Sequence, residues 1–133
     1  MKKVAIIGAG ISGLFIANLL KKNPNYEITI YEKNTPISLE EGYGVQLSVN
    51  SIKLLNEIGF KKLHNSKKFN PKKINFYSNK SLKKICELDI ANFNSVDCKY
   101  TTLKRSTLIN FLRADLGNLI KTDYNISKID QQH

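Results

Sequence analysis

Near its start the chain reads Gly8-Ala9-Gly10-Ile11-Ser12-Gly13, and nineteen residues after Gly13 comes Glu32. Glycines at this spacing suit the cradling of a phosphate chain. Gly8 permits a tight turn, Gly10 lets bare backbone approach a pyrophosphate, and Gly13 lets a helix pack close to a strand. Free N–H groups near Ile11 and Ser12 would face the anion, where the helix dipole also favours negative charge. A carboxylate at Glu32 can accept hydrogen bonds from ribose hydroxyls, and it repels a 2′-phosphate. The chemistry is recognition of the ADP half of a dinucleotide, without the extra phosphate of NADP. Glycines cluster in many turns, so a glycine turn with a surface glutamate is the plain alternative. The motif carries weight only where a strand precedes it and a helix follows.

The flanking residues supply that context. Val4-Ala5-Ile6-Ile7 is a continuous apolar run, expected to be a strand covered on both faces of a parallel sheet. Ile11, Leu14, Phe15, Leu19 and Leu20 have helical spacing, Ala17 keeps the inner face small, and Pro24 ends the segment. Ile28-Thr29-Ile30-Tyr31 is a second strand, rich in β-branched residues. Residues 3–32 therefore read β-α-β.

Further along, a loop with Pro36, Gly42 and Gly44 precedes a short extended piece, Val45 to Leu47. Asn50 is expected to cap a helix with an Ile52, Leu55, Ile58 stripe and a stop at Gly59. Ile74-Asn75-Phe76-Tyr77, a turn at Ser78-Asn79-Lys80-Ser81, and residues 82–88 predict a β-hairpin. Tyr100 to Leu103 reads as a strand. Ser106 is expected to cap a helix with Leu108, Phe111, Leu112 and Leu116 inside, ending at Gly117. Two short strands are expected at 119–122 and 125–130.

A length of 133 residues suits one domain, and 41% apolar with 24% charged residues is a normal globular balance. No apolar run is long enough to span a membrane. The glycines that follow Ile7 at once argue against a signal peptide, so a cytoplasmic location is expected. Cys86 and Cys98 are too few for a disulfide framework, and with only His64 and His133 they offer no metal site. Neutral, buried or half-buried thiols are expected. The net charge is +10, and residues 61–84 hold nine lysines with no Asp or Glu. An acidic partner, an anionic membrane surface or nucleic acid could each use such a stretch. No aromatic stacking platform or nucleic-acid motif accompanies it, so a solvated lysine face is the preferred reading and no nucleic-acid partner is expected.

The residues from Glu41 to Phe60, with Gly42-Tyr43-Gly44-Val45, then Asn50 opening a helix that ends Ile58-Gly59-Phe60, resemble the FAD-dependent aromatic-ring hydroxylases of the salicylate, hydroxybenzoate and ubiquinone-biosynthesis type. Val49 stands where the family commonly has proline. Lys104-Arg105 followed by Ser106-Thr107-Leu108 is similar to the family's His-Arg and helix, with lysine for histidine. The resemblance implies that Arg105 contacts FAD. Lys33, Gly44 and Val45 join Gly8, Gly10, Ile11, Ser12, Gly13, Glu32 and Arg105 as cofactor-binding candidates. It also implies a Rossmann-like α/β domain over residues 1–133 with an added hairpin region. NAD(P)H would reduce the flavin, and oxygen would be transferred to an aromatic substrate.

The family's Asp-Gly and Gly-Asp motifs and most of its substrate sheet lie beyond His133 in its order. The chain is therefore expected to be the front of a longer fold, completed by a second chain or a C-terminal part. Exposed sheet edges and apolar faces should accompany that. No residue stands out as catalytic, and no metal site is expected. An NAD-dependent Rossmann oxidoreductase and a non-catalytic dinucleotide-binding module are the competing readings. The first of these would be expected to continue with further β-α repeats.

Overall fold

The apolar run that opens the chain becomes strand β1 (Lys2–Ile7), which pairs in parallel with β2 (Tyr26–Tyr31) from Lys2↔Tyr26 to Ile7↔Tyr31. The computed structural model describes residues 1–35 and 43–130. The loop expected around Pro36 and Gly42 lies outside these. The chain divides into two compact units: Met1–Gly42 with Arg105–His133, and Tyr43–Lys104.

In the first unit, helix α1 (Ile11–Leu20) links the two parallel strands. Ile6 on β1 and Ile28 and Ile30 on β2 are buried, as are Leu14 and Ala17 on α1. The other face of β1 is open: Lys3 and Ala5 are exposed, and Ile7 is 54% exposed. The expectation of a strand covered on both faces is thus corrected. A continuous apolar run gives no sign of which side a neighbour covers. Here burial alternates along β1 as on a one-sided strand.

Helix α3 (Arg105–Arg113) belongs to the same unit and buries Leu108, Ile109 and Leu112. Its junction with α1 includes Asn18, whose Nδ2 donates to the carbonyls of Leu14 (2.8 Å) and Leu112 (2.7 Å). Ser106 lies inside the helix rather than capping it, because Arg105 already takes helical backbone. The helix stops at Arg113, short of the expected Gly117. The chain then tightens into 3-10 geometry over Gly117–Leu119, and this keeps Leu116 buried outside the helix. Strand β7 (Ile120–Lys121) follows and adds to β2 in parallel, giving the order β1-β2-β7. The second strand expected at 125–130 does not form.

In the second unit, β3 (Gly44–Leu47) pairs antiparallel with β6 (Thr101–Lys104), and α2 (Val49–Glu57) follows β3. The cap of α2 is Ser48, not Asn50. Ser48 has extended backbone, and its Oγ accepts from the Ser51 N–H at 3.5 Å. Asn50 falls two residues too late to serve, inside the first turn. Gly59 ends the segment as expected, with φ 90° in the left-handed region. Ile52, Leu55, Phe60, Ile90, Thr101 and Leu103 are the buried residues of this unit.

The predicted hairpin forms as β4 (Lys73–Tyr77) and β5 (Lys84–Asp89), with a register shift at Phe76/Tyr77. Every residue of β5 is exposed, Cys86 included, so that thiol is not the half-buried one expected. On one face Glu87 accepts from Lys73 Nζ (2.6 Å) and Lys84 Nζ (2.8 Å). The hydrogen bond from Lys73, then that from Lys84, holds the Glu87 carboxyl down at about 2 against an ordinary 4.5.

A depressed folded value means that this pairing stabilises the hairpin above about pH 4.5 and is lost as pH falls towards 2. Corrected for the intrinsic pH dependence of amide exchange, protection across β4 and β5 should fall over that window, and the acid step should vanish in Glu87→Gln. The step should also shrink in high salt, since the triad is open to solvent.

Candidate dinucleotide site

The site grows from the turn between β1 and α1. Gly8 sits at φ 96°, a left-handed value that side chains rarely adopt, and its N–H donates to the Tyr31 carbonyl at 2.7 Å. Gly13 is fixed by space instead. A Cβ there would collide with the Gly8 carbonyl oxygen and press on Ile6 Cγ2. The helix therefore starts in direct contact with the end of β1.

Gly10 is different. It has φ −78° and ψ −177°, which any residue can adopt, and a Cβ there would meet nothing within 4 Å. Neither backbone nor packing in this chain requires glycine at that position. The space beside it is open.

Gly10 is also the N-cap of α1, and no side chain caps the helix or places an acid in its first turn. The first intrahelical bond is Leu14 N–H to the Gly10 carbonyl, at 3.0 Å. The N–H groups of Ile11, Ser12 and Gly13 precede it and have no intrahelical acceptor. Ser12 is exposed, while Ile11 is half-buried. These donors and the helix dipole give this end a partial positive charge, the electrostatics that suit an anion.

Glu32 follows β2 directly and faces this turn. Its Oε2 accepts from the Ala9 N–H at 2.8 Å, and its Oε1 accepts from the Asn34 N–H at 3.0 Å. A carboxylate offers about four acceptor sites, so roughly two remain for other donors. The backbone of Glu32 is held as well. Its N–H donates to the Lys121 carbonyl (2.9 Å), and its carbonyl accepts from the Tyr124 N–H (2.9 Å). The Tyr31 and Tyr124 rings lie 5.4 Å apart beside this clamp.

The structure thus brings Gly8, Gly10, Ile11, Ser12, Gly13 and Glu32 together at the carboxyl end of the parallel strands. Lys33 is exposed just after the acid, and Arg105 is half-buried as the first residue of α3. Gly44 and Val45 lie in the second unit, paired with Lys104 and Leu103. Sequence reasoning missed Ala9 and Asn34. Both act through backbone N–H groups, which carry no residue-type signal. Among the described residues no cluster of His, Cys, Asp and Glu could hold a metal ion, and no helix is long and apolar enough to cross a membrane.

The family described as NAD(P)-binding Rossmann-like domain matches residues 6–40, the segment that builds the turn and Glu32. The chain has a Rossmann-like fold. Solved structures share it. HpxO of Klebsiella pneumoniae, complexed with FAD and uric acid, is 17% identical with TM-score 0.79, over 98% of this chain and 33% of that one. The 2,6-dihydroxypyridine-3-hydroxylase of Arthrobacter nicotinovorans is 16% identical with TM-score 0.73, over 98% of this chain and 30% of that one. A 2-methyl-3-hydroxypyridine-5-carboxylic acid oxygenase is 20% identical with TM-score 0.73, over 92% of this chain and 32% of that one. The chain spans about a third of the length of these structures. No curated protein matches it.

The glycines should separate by experiment. Gly13→Ala should lower stability by about 1–3 kcal/mol, the usual cost of forcing atoms into a packed contact. Gly10→Ala should change it by no more than about 0.5 kcal/mol, as at an open surface position. Chemical denaturation of both variants beside the parent chain measures the difference.

Proposed function

We propose that this chain binds FAD and is the N-terminal part of a flavin-dependent monooxygenase that hydroxylates an aromatic substrate with NAD(P)H and O2. The observation that carries the reading is Gly10. It is a glycine that the fold does not need, beside uncapped helix N–H groups and an acid held at the same turn. An ADP group accounts for all three, its pyrophosphate for the open glycine and the uncapped N–H groups, and its ribose hydroxyls for the acid. The solved structures of like fold, one with FAD bound, favour flavin as the occupant.

In this reading Gly10, Ile11 and Ser12 present backbone to the pyrophosphate, with Gly8 and Gly13 shaping the turn. Glu32 accepts from the adenosine ribose hydroxyls through its remaining lone pairs. Lys33 adds a positive charge beside the acid, and Arg105 offers a planar fork to phosphate or ribose oxygens. Gly44 and Val45 are the cofactor contacts implied for the second unit. When bound, the flavin supplies the reduction by NAD(P)H and the transfer of oxygen to the aromatic ring. This chain binds and orients its ADP end. A C-terminal part or a second chain would support the ring and hold the substrate.

An NAD-dependent oxidoreductase is the weaker alternative. Between Glu32 and α3, the described strands β3, β4, β5 and β6 pair antiparallel rather than adding β-α repeats to the first sheet.

Titration with FAD, ADP and NAD, followed by calorimetry and flavin absorbance, tests the proposal. FAD and ADP should bind, and Gly10→Ala should weaken both without loss of fold. Glu32→Ala should cost about ten- to a hundred-fold in affinity, the worth of hydrogen bonds to a charged group. Glu32→Gln should narrow the preference for ADP over 2′-phospho-ADP. Binding of NAD with no uptake of FAD would shift the assignment to the alternative. Indifference of ADP to both Gly10 and Glu32 would end it.

A further inference from the structure

None of the candidate cofactor-binding residues falls within the lysine-rich residues 61–84, whose longest exposed run reaches the tip of the β4–β5 hairpin. The tip is a four-residue loop closed by Ser78 N–H to the Lys83 carbonyl (2.9 Å) and Leu82 N–H to the Ser78 carbonyl (2.8 Å). Leu82 closes the loop at φ 55°, in the left-handed region where glycine or asparagine is the ordinary choice. It is also 80% exposed. A bulky apolar residue therefore occupies a backbone position that disfavours it, and within this chain it gains almost no burial. Strain of this kind, retained at an exposed position, points to an interaction outside the chain.

Its surroundings indicate what that interaction is. Ile85 and Tyr77, at the adjoining strand ends, are 69% and 59% exposed. Lys80 and Lys83 flank Leu82 in sequence, are exposed, and make no ion pair among the described residues. Residues 61–84 contain nine lysines, no arginine and no acid. We propose that the hairpin tip is a peripheral anchor for an anionic lipid bilayer, with Leu82 and Ile85 entering the interface and Lys80 and Lys83 meeting the headgroups.

The chemistry favours lipid over nucleic acid. Leucine and isoleucine gain from contact with acyl chains but offer no flat face for a base to stack on. Lysine is a point charge on a long apolar stem, suited to a diffuse anionic surface. Arginine, the residue of bidentate phosphate and base recognition, is absent from the stretch. Each lysine near an anionic surface is worth about five-fold in partitioning. Each buried methylene is worth about four-fold.

Sedimentation of the full chain with phosphatidylcholine vesicles, with and without phosphatidylglycerol, tests this. Binding is expected only to the mixed vesicles, and it should weaken in high salt. Lys80→Glu and Lys83→Glu should each lower partitioning at least about five-fold. Leu82→Asn should lower it about ten-fold or more by the same methylene arithmetic. Asparagine relieves the left-handed strain, so this variant should melt no lower than the parent, and misfolding cannot explain its loss of binding. The proposal fails if mixed vesicles do not bind the chain, or if Leu82→Asn partitions like the parent. It fails equally if a DNA duplex displaces the chain from vesicles and binds Leu82→Asn undiminished.

Discussion

The first unit is organised by one close approach, where α1 begins against the carbonyl of Gly8. That contact leaves no room for a Cβ at Gly13, so it sets where the helix starts and how it meets β1. The start position matters because a helix exposes unpaired N–H groups only at its first turn. Held this close, those groups lie at the carboxyl end of a parallel strand pair, where open α/β sheets take their ligands. A looser junction would release Gly13 from its constraint. It would also blur the direction in which the N–H groups point. Gly8 and Gly13 thus build the turn, and Gly10 leaves it uncovered.

Glu32 extends the argument from shape to charge. Its carboxylate is fixed by two backbone N–H groups, one from the turn itself, and its main chain is fixed by β7 and Tyr124. An acid restrained in this way loses little further freedom when a ligand binds, which favours affinity. The restraint comes from opposite ends of the sequence. β7 lies almost ninety residues after Glu32, so the geometry of the acid depends on the return of the chain through α3.

That dependence explains which parts were legible in the sequence. The β-α-β unit, the α2 stop at Gly59 and the β4–β5 hairpin could all be read because local chemistry decides them: glycine spacing, apolar period and turn residues. The cap of α2 was misread because Ser48 and Asn50 are equally good cap types, and only the backbone selects between them. The end of α3 was misread because Leu116 keeps helical spacing while the chain has already tightened. Burial of β1 was overestimated because an apolar run does not report its neighbours. The site residues before Glu32 were visible as letters. The clamps on Glu32 were not, because backbone N–H groups look the same under every side chain.

Charge acts on two length scales here. At a net +10 the chain attracts any polyanion, a dinucleotide included, and that attraction is screened beyond about 8 Å at physiological ionic strength. It cannot distinguish ADP from 2′-phospho-ADP, except by drawing in the more highly charged one. In the proposed site, discrimination has to come from Glu32 at contact. Two like charges about 4 Å apart at an effective dielectric near 20 repel by about 4 kcal/mol, which outweighs the screened pull of distant lysines. The surplus of lysine in this chain therefore does not argue for a phosphorylated ribose. In the proposed site a single restrained carboxylate would oppose it, while every remote charge favours the opposite choice.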